Sequence, residues 1–240
     1  MKNKFTLIYE DDALLVLDKA SDVLTIPDRF KPEIFNLYNC LEGKYGKIFT
    51  VHRLDRETSG LLVFAKTEEA HKSLSRQFED RTVEKIYQVL VEGVMHEKEG
   101  EINKGITKHP VKPGKMIVSA KGKPSLTLYK VIEEFKNFSL VEADIKTGRT
   151  HQIRVHFQSI GYPLAVDSLY GRSDAFYLSK IKKKYNFGKE AEERPMMSRT
   201  SLHAFRLVLD HPTTGERMTF QTELPKDFGA VVKQLRKWGM

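Results

Sequence analysis

The sequence contains a single cysteine, Cys40, so no disulfide can form within the chain and no cluster of thiols can hold a structural metal. It also lacks any apolar run close to the ~20 residues that a membrane-spanning helix requires. The basic start at residues 1–5 is not followed by an apolar stretch of signal-peptide length. We therefore expect a cytoplasmic protein without membrane association.

Acidic residues are missing from two stretches that are rich in lysine. Residues 104–130 hold seven lysines and residues 179–189 hold five, and neither stretch contains an acid although the chain has 32. Solvated loop surface is one interpretation of each stretch. Lysine also neutralises the phosphate backbone of nucleic acids. Together with the net charge of +8, the two stretches indicate a polyanionic partner.

No repeat, low-complexity tract or linker-like segment interrupts the 240 residues, so we expect one continuous domain with a charged, irregular surface insertion at residues 172–200. Strand patterns lie at residues 5–9, 13–18, 61–65, 83–94, 124–133, 138–145, 201–209 and 216–222. Helical patterns lie at residues 34–41, after Thr67, at 150–159 with Thr150 as N-cap, and at 227–238. Strands mixed with separate helices predict an α+β fold with a mainly antiparallel sheet.

A first polar segment places His52, Arg53, Asp55 and Arg56 immediately before an apolar run. A carboxylate between two guanidiniums should stay ionised, because nearby positive charge favours the charged form. Gly60 then permits a sharp turn into the predicted strand. An exposed turn with surface ion pairs is the other structure that these residue types allow.

A second polar segment, residues 147–156, places two arginines, two histidines and a glutamine at the start of a predicted helix. Helix N-termini with basic side chains suit phosphate oxygens. His151 and His156 are five residues apart and do not share a helix face, so we predict no metal site. His156 is more simply explained as an ordinary hydrogen-bonded residue of the core or the surface.

A third segment, residues 84–93, has the alternation of a strand. Tyr87 alternates with Val89 and Val91, so the pattern alone makes it a core aromatic residue.

Together the three segments resemble the RluA family of pseudouridine synthases. The most specific matches are the runs HRLDRETSG at residues 52–60 and GRTHQIRVH at residues 148–156. Further matches lie at residues 12–19, 85–87, 167–171, 202–204 and 211–216, so the resemblance covers nearly the whole chain. It implies a single catalytic domain with the pseudouridine synthase fold, a mixed, mainly antiparallel sheet flanked by helices and loops. It also implies an enzyme that isomerises specific uridines in structured ribosomal or transfer RNA.

The resemblance assigns roles to five residues. Asp55 is the expected nucleophile, acting either on the uracil ring or at the sugar, and both routes stay open. Arg154 should pair with Asp55 and keep it oriented. Tyr87 should stack on the flipped uracil, and Ile153 should line the other face of the base. Arg53 should enter the gap that the flipped base leaves, since a flat guanidinium stacks on bases.

Further RNA contacts are implied with less individual support for His52, Arg56, Lys85, Arg149, His151 and Gln152. The reaction involves no redox change or hydrolysis, so the resemblance implies no cofactor and no metal. It implies RNA as the partner, no obligatory protein partner and a monomer.

The sequence departs from the family pattern in a few places. Residues 19–22 read Lys-Ala-Ser-Asp where many members have Lys-Pro-Ala-Gly, Val166 replaces a usual glycine, and Val89 replaces a usual alanine. These changes bear on loop shape and on which RNA is recognised. Phe5 already begins the catalytic-domain pattern, so we expect the small N-terminal RNA-binding domain of many relatives to be absent. Substrate choice would then rest on the lysine-rich stretches.

Three other functions fit parts of the sequence. A non-catalytic RNA-binding protein would not need a carboxylate beside phosphate-binding residues. A glycosidic hydrolase with Asp55 as nucleophile would need a second carboxylate, for which Glu57 is the nearby candidate. A metal-dependent nuclease would need an acidic cluster, which these segments lack.

Overall fold

Apolar runs separated by turn residues fold into strands that pair mainly antiparallel, with helices packed beside them. The structure is a computed structural model and describes residues 4–183, 185 and 192–239. The chain divides into two compact units. Unit 1 comprises Met1–Ile86 and Ala204–Glu223, and unit 2 comprises Tyr87–His203 and Leu224–Met240.

The elements in chain order are β1 (Phe5–Glu10), β2 (Leu14–Lys19), α1 (Leu37–Tyr45), β3 (Phe49–Thr50), β4 (Ser59–Ala65), α2 (Glu68–Glu79), β5 (Glu84–Glu92), β6 (Glu99–Asn103), β7 (Ile106–Lys108), β8 (Met116–Val118), β9 (Leu126–Phe135), β10 (Phe138–Ile145), α3 (Gln152–Ser159), β11 (Leu202–Asp210), β12 (Arg217–Gln221) and α4 (Lys226–Trp238). A short 3-10 helix spans Leu178–Lys180.

Unit 1 is built on β1, β2, β4 and the main part of β11, in that order. The β1/β2, β2/β4 and β11/β12 pairs are antiparallel. Every residue of β4 is buried, as its continuous apolar sequence predicts. Helix α2 packs Ala70 and Leu74 into the core that β4 helps to form. It begins at the predicted cap, because the Thr67 side chain accepts the N–H of Ala70.

Unit 2 is built on the main part of β5 followed by β10, β9 and β6. The β9/β10 and β6/β9 pairs are antiparallel. Helix α4 buries Phe228, Val231, Val232 and Leu235 in the core of this unit. A separate hairpin, β7 with β8, lies in the lysine-rich stretch, and a small cluster joins its Ile106 to Val155 of α3.

The α+β class and the mainly antiparallel sheet are confirmed, but some local predictions are wrong. The N-cap position of α3 is His151, in a left-handed conformation (φ 55°, ψ 22°) and without a side-chain capping hydrogen bond, and not Thr150. The sequence patterns also gave no strand for β6, β7 or β8.

The predicted insertion at residues 172–200 is partly described. Its Phe176 and Met197 are buried in the core of unit 2, and the Phe176 N–H donates to the Met197 carbonyl. Residues 184 and 186–191, which include two lysines of the second basic stretch, lie outside the described residues.

No helix in the described part of the chain has the length and apolar character needed to cross a membrane.

Gly60 provides a test of how β4 packs in unit 1. Its φ is +118°, and a Cβ there would lie 2.3 Å from the carbonyl oxygen and 2.5 Å from the nitrogen of Ala204 in β11. We expect Gly60→Ala to lower the free energy of unfolding by at least about 2 kcal/mol, measured by urea denaturation. Gly43→Ala in α1 is the control, because a Cβ there meets nothing within 4 Å. It should be neutral or stabilising by up to about 1 kcal/mol. Equal losses in both variants would contradict this packing.

Candidate active site

The turn that carries Asp55 lies between Leu54 and the start of β4. The N–H of Thr58 donates to the carbonyl of Asp55 at 3.1 Å, which closes a β-turn. Asp55 is half-buried, whereas Arg53 and Arg56 are exposed. Arg56 lies 3.7 Å from Asp22 in an exposed ion pair that contributes little to stability. The turn therefore presents two half-buried carboxylates, Asp55 and Glu57, beside two accessible guanidiniums.

A buried ammonium group holds this turn through its backbone. Lys19, the last residue of β2, is fully buried. Its Nζ donates to the carbonyls of Ala20 and Val23, each at 2.9 Å, and to that of Arg56 at 3.2 Å. A lysine ammonium has three N–H donors, so these acceptors match it in number. Lys19 thus ties the end of β2 and the following loop to the residue after Asp55.

Two hydroxyl groups of the same loop fix the other sides of the turn. The Thr25 hydroxyl donates to the carbonyl of Leu54 at 3.1 Å, and the Leu54 N–H donates back to Thr25 Oγ1 at 3.3 Å. The Ser21 hydroxyl donates to the carbonyl of Glu57 at 2.8 Å. The backbone is therefore anchored on both sides of Asp55. Lys19 lies in a segment that matches the family pattern, whereas residues 20–22 depart from it, and neither observation gave these residues a role. A lysine that ends an apolar strand is a signal for such a role.

His52 has a structural role in unit 1. Its Nε2 accepts the N–H of Val63 at 3.1 Å, and its ring stacks on Phe78 with centroids 4.7 Å apart. Burial lowers the pKa of His52 to about 3, and the charge of Lys85 adds to this effect, so the ring is neutral. Lys85 is itself buried, and its Nζ donates to the carbonyl of Val83. The contacts with RNA expected of these two residues stay predictions.

Arg154 forms a buried, bidentate ion pair with Asp167 in unit 2. Arg154 Nε lies 2.6 Å from Oδ2 and Nη2 lies 2.8 Å from Oδ1 of the carboxylate. The two side chains are only 1% and 0% exposed. A paired fork of this kind fixes both the position and the plane of the guanidinium. Asp167 lies in a segment that matches the family pattern, but the resemblance alone assigns it no role.

Asp167 is held in turn by the loop that follows it. Its Oδ1 also accepts the N–H groups of Leu169 at 2.9 Å and Tyr170 at 3.0 Å. The Gly171 N–H donates to the Asp167 carbonyl at 2.9 Å. The ring of Tyr170 lies against the guanidinium, with its centroid 5.1 Å from Arg154 Cζ. The loop and the first turns of α3 therefore form one hydrogen-bonded assembly around Arg154.

Tyr170 extends this assembly to His151 and to the β7–β8 hairpin. Its hydroxyl accepts the N–H of Met116 at 2.7 Å and lies 2.8 Å from His151 Nδ1. Lys115 donates to the carbonyl of Leu169 at 2.8 Å. The bond to Tyr170 orients the ring of His151, whose backbone has the left-handed conformation that histidine tolerates better than most residues.

Gln152 is a structural residue. It is buried, and its Oε1 accepts from the Thr147 hydroxyl at 2.7 Å and the Arg149 N–H at 3.1 Å. Its Nε2 donates to the carbonyl of Leu126 and to Thr127 Oγ1, each at 3.0 Å. These bonds use both lone pairs and both N–H groups of the amide. The contact of Gln152 with RNA stays a prediction, and it would require breaking one of these bonds.

Tyr87 and Ile153 are buried side chains of unit 2, on β5 and α3 respectively. His156 is also buried, with ring nitrogens 2.9 Å from Thr127 Oγ1 and 3.0 Å from the Lys104 carbonyl. This confirms the interpretation of His156 as a hydrogen-bonded core residue. Burial lowers the pKa of His156.

The expected site residues therefore fall into two groups. Unit 1 holds His52, Arg53, Asp55, Arg56 and Lys85, and unit 2 holds Tyr87, Arg149, His151, Gln152, Ile153 and Arg154. The pairing of Arg154 with Asp55 stays a prediction. Across residues 4–183, 185 and 192–239, no group of three His, Cys, Asp or Glu side chains could hold a metal ion.

The neutral His52 leads to a prediction about acid stability. Its pKa is 6.5 in an unfolded chain and about 3 in the fold, so between these values only the unfolded chain is protonated. The free energy of unfolding must then fall as the pH drops below 6.5, by at most about 1.4 kcal/mol per pH unit from this residue. His52→Gln keeps an acceptor in place but does not titrate. We expect this variant to lose less stability than wild type between pH 6.5 and about pH 4.5 in urea denaturation.

The exposed His96→Gln is the matched control and should lose as much stability as wild type on acidification. Some acid sensitivity will remain in every variant, because burial also lowers the pKa of His156. An identical pH slope for His52→Gln and wild type would show that His52 is not held neutral by the fold.

Comparisons with known proteins agree with the two motifs. Residues 13–159 match the family model described as RNA pseudouridylate synthase. Ribosomal large subunit pseudouridine synthase D of Nitrosomonas europaea is 37% identical over 236 residues, which cover 96% of this chain and 65% of the relative. The protein of the same name from Pseudomonas aeruginosa is 38% identical over 236 residues, covering 96% of this chain and 72% of the relative. The chain thus spans about two thirds of the length of these relatives.

Solved structures show the same fold. Human RNA pseudouridylate synthase domain containing 1 is 27% identical with a TM-score of 0.68, covering 97% of this chain and 94% of that one. Human RNA pseudouridylate synthase domain containing 4, at 21% identity, superposes with a TM-score of 0.71 over 96% of this chain and 92% of that one. These matches confirm the resemblance that the motifs indicated, and the chain belongs to the RNA pseudouridylate synthase family, in its RluA branch.

Proposed function

We propose that the protein isomerises specific uridines in structured RNA to pseudouridine, with Asp55 as the nucleophile. The observation that carries the proposal is the turn of Asp55, whose backbone is anchored by Lys19, Thr25 and Ser21. The carboxylate stands on this fixed backbone and stays partly accessible. A nucleophile gains most when its position is set before the substrate binds.

The reaction rearranges one nucleotide without any external reactant. The bond between N1 of uracil and C1′ of ribose breaks and a bond between C5 and C1′ forms. The proton on C5 is lost to solvent and N1 takes up a proton, so the product is an isomer of the substrate. Asp55 can serve this reaction by adding to the uracil ring or by attacking C1′. Both routes need an ionised carboxylate and a base that has left its stack, which costs a few kcal/mol.

Four other residues complete the proposed site. Arg154 pairs with Asp55, a role for which the Asp167 fork gives the guanidinium a fixed plane. Tyr87 stacks on the flipped uracil, and Ile153 lines its other face. Arg53, which is exposed on the turn of Asp55, fills the space that the base leaves.

The proposed substrate is ribosomal or transfer RNA, and the relatives named for the large ribosomal subunit favour ribosomal RNA. The exposed Arg56, the half-buried Arg149 and His151, and the lysine-rich β7–β8 hairpin suit contacts with the phosphate backbone. We further propose that residues 1–240 act as one catalytic domain in the cytoplasm, as a monomer without an obligatory protein partner. The chemistry requires no cofactor.

Replacement of the nucleophile tests the activity. Asp55→Asn keeps the shape of the side chain but removes its nucleophilic oxygen. We expect it to lower the release of tritium from RNA labelled at uridine C5 by at least about 10³-fold. RNA affinity should change little, because the basic side chains remain. Asp22→Asn is the control, since it makes the same chemical change at an exposed carboxylate of unit 1. Undiminished tritium release by Asp55→Asn would reject the assignment, and release of free uracil by the wild type would indicate a hydrolase.

Mapping pseudouridine at nucleotide resolution, in cells with and without the gene, would identify the target RNA. We expect wild type to restore every site that is lost and Asp55→Asn to restore none.

Asp167 provides a separate test of the role of Arg154. Asp167→Asn removes the charge that holds the guanidinium, and we expect kcat to fall by about 10²-fold because small displacements of a reacting group cost this much. KM for RNA should stay near the wild-type value. Asp227→Asn is the control, because Asp227 forms a similar fork with Arg199 in unit 2, at 2.8 and 3.0 Å. Both variants should lose stability, but only Asp167→Asn should lose turnover at a temperature where both are folded. Equal kcat values for Asp167→Asn and Asp227→Asn would show that Asp167 has only a structural role.

A further inference from the structure

A basic pocket lies in unit 2 on residues that the proposed reaction does not use. It has a volume of about 430 Å³, within the range of small-molecule sites. Lys136, Lys180 and Lys183 line it together with Asn137, and the indole of Trp238 forms a wall. None of its lining residues in the described part of the chain is acidic. The pocket therefore combines concentrated positive charge with one large aromatic surface.

The indole is held in place but remains accessible. Trp238 is 41% exposed at the end of α4, and its Nε1–H donates to Gln234 Oε1 at 3.1 Å, one helical turn earlier. The ammonium groups of Lys182 and Lys237 lie 5.1 and 4.9 Å from the ring centroid. Such contacts between an exposed lysine and a ring are weak and exchangeable. A ligand with a flat ring and an anionic group can stack on the indole in place of these ammonium groups, and its anionic group can then pair with them.

Among the described residues, the acids closest in sequence to Lys136 already have basic partners that do not line the pocket. Glu134 pairs with Lys98. Glu133, three residues before Lys136, is bound by both Nε and Nη2 of Arg236. Lys180 is oriented by Ser173 Oγ at 2.6 Å, which is a neutral partner. The pocket is thus suited to an anion.

We propose that this pocket binds an unpaired nucleotide of the RNA, with the base stacked on Trp238 and the adjacent phosphates against Lys136 and Lys183. Exposed aromatic rings beside lysines are the usual platform for single-stranded nucleic acid, because every base has a flat face. A duplex presents no free base to the ring. The identity of the nucleic acid as RNA rests on the proposed function. The pocket would add an RNA contact to those made by the turn of Asp55, and it would favour substrates with a single-stranded segment.

Trp238 is the only tryptophan of the chain, so its emission reports directly on this pocket. The probe is a single-stranded oligoadenylate of about ten nucleotides, which contains no uridine and cannot be turned over. We expect saturable quenching of the emission that weakens as salt is raised. Lys136→Glu and Lys183→Glu should each weaken binding by about tenfold, and Lys72→Glu should change it by less than about twofold. Lys72 is the matched control because it is an exposed lysine on α2 of unit 1.

Two further ligands distinguish base stacking on Trp238 from attraction between charges alone. A duplex RNA of equal length should quench much less, and inorganic polyphosphate should not reproduce the quenching. An unchanged emission with oligoadenylate would overturn the proposal, as would equal quenching by polyphosphate or an equal loss of affinity in Lys72→Glu. Asp55→Asn should quench like wild type, so failure of the pocket and failure of the proposed reaction are distinguishable. Circular dichroism confirms that the charge variants remain folded.

Discussion

The buried ion pair between Arg154 and Asp167 is the interaction on which the surroundings of α3 depend. A guanidinium removed from water costs several kcal/mol unless a carboxylate and further hydrogen bonds compensate it. Asp167 supplies both oxygens to Arg154, and its Oδ1 also accepts two backbone N–H groups of the loop that follows. Movement of either partner would therefore break a buried, bidentate ion pair. The loop, the start of α3 and the ring of Tyr170 keep one arrangement for the same reason.

Unit 1 also contains a buried charge, the ammonium group of Lys19, but its partners include backbone carbonyls. The buried ammonium of Lys19 is compensated by backbone carbonyls, one of which belongs to Arg56 in the turn of Asp55. The turn is consequently held through its main chain. A hydroxyl at Thr25 completes the anchoring by bonding both the N–H and the carbonyl of Leu54. Because the loop is held through its backbone, its side chains need not be buried. Asp55 is half-buried and Arg53 is exposed. Such a loop combines rigidity with chemistry at its surface.

Sequence patterns predicted correctly those elements whose formation depends on residues close together in the chain. The strand pattern at residues 138–145 coincides with β10, and Thr67 caps α2 as expected, because alternation and cap spacing involve neighbouring residues. The N-cap of α3 could not be found in this way. His151 has a left-handed backbone and its ring bonds the hydroxyl of Tyr170, 19 residues further along the chain, and neither feature is visible in the local pattern. The motifs likewise identified candidate site residues, but Asp167 and Lys19 owe their roles to partners that only the folded chain brings together.

Membership of a motif does not by itself make a residue catalytic. The runs at residues 52–60 and 148–156 each mix residues whose polar atoms bond within the protein with residues that face outward. His52 accepts a backbone N–H, and Gln152 uses its whole amide within unit 2. Arg53 and Arg56 are exposed. The internally bonded residues fix the backbone conformation of the segment, and the exposed residues depend on that conformation for their position. We expect a substitution at either kind to lower the proposed activity, so loss of activity alone cannot assign a role. The free energy of unfolding must be measured beside kcat, because only a residue of the second kind can lose turnover while the fold keeps its stability.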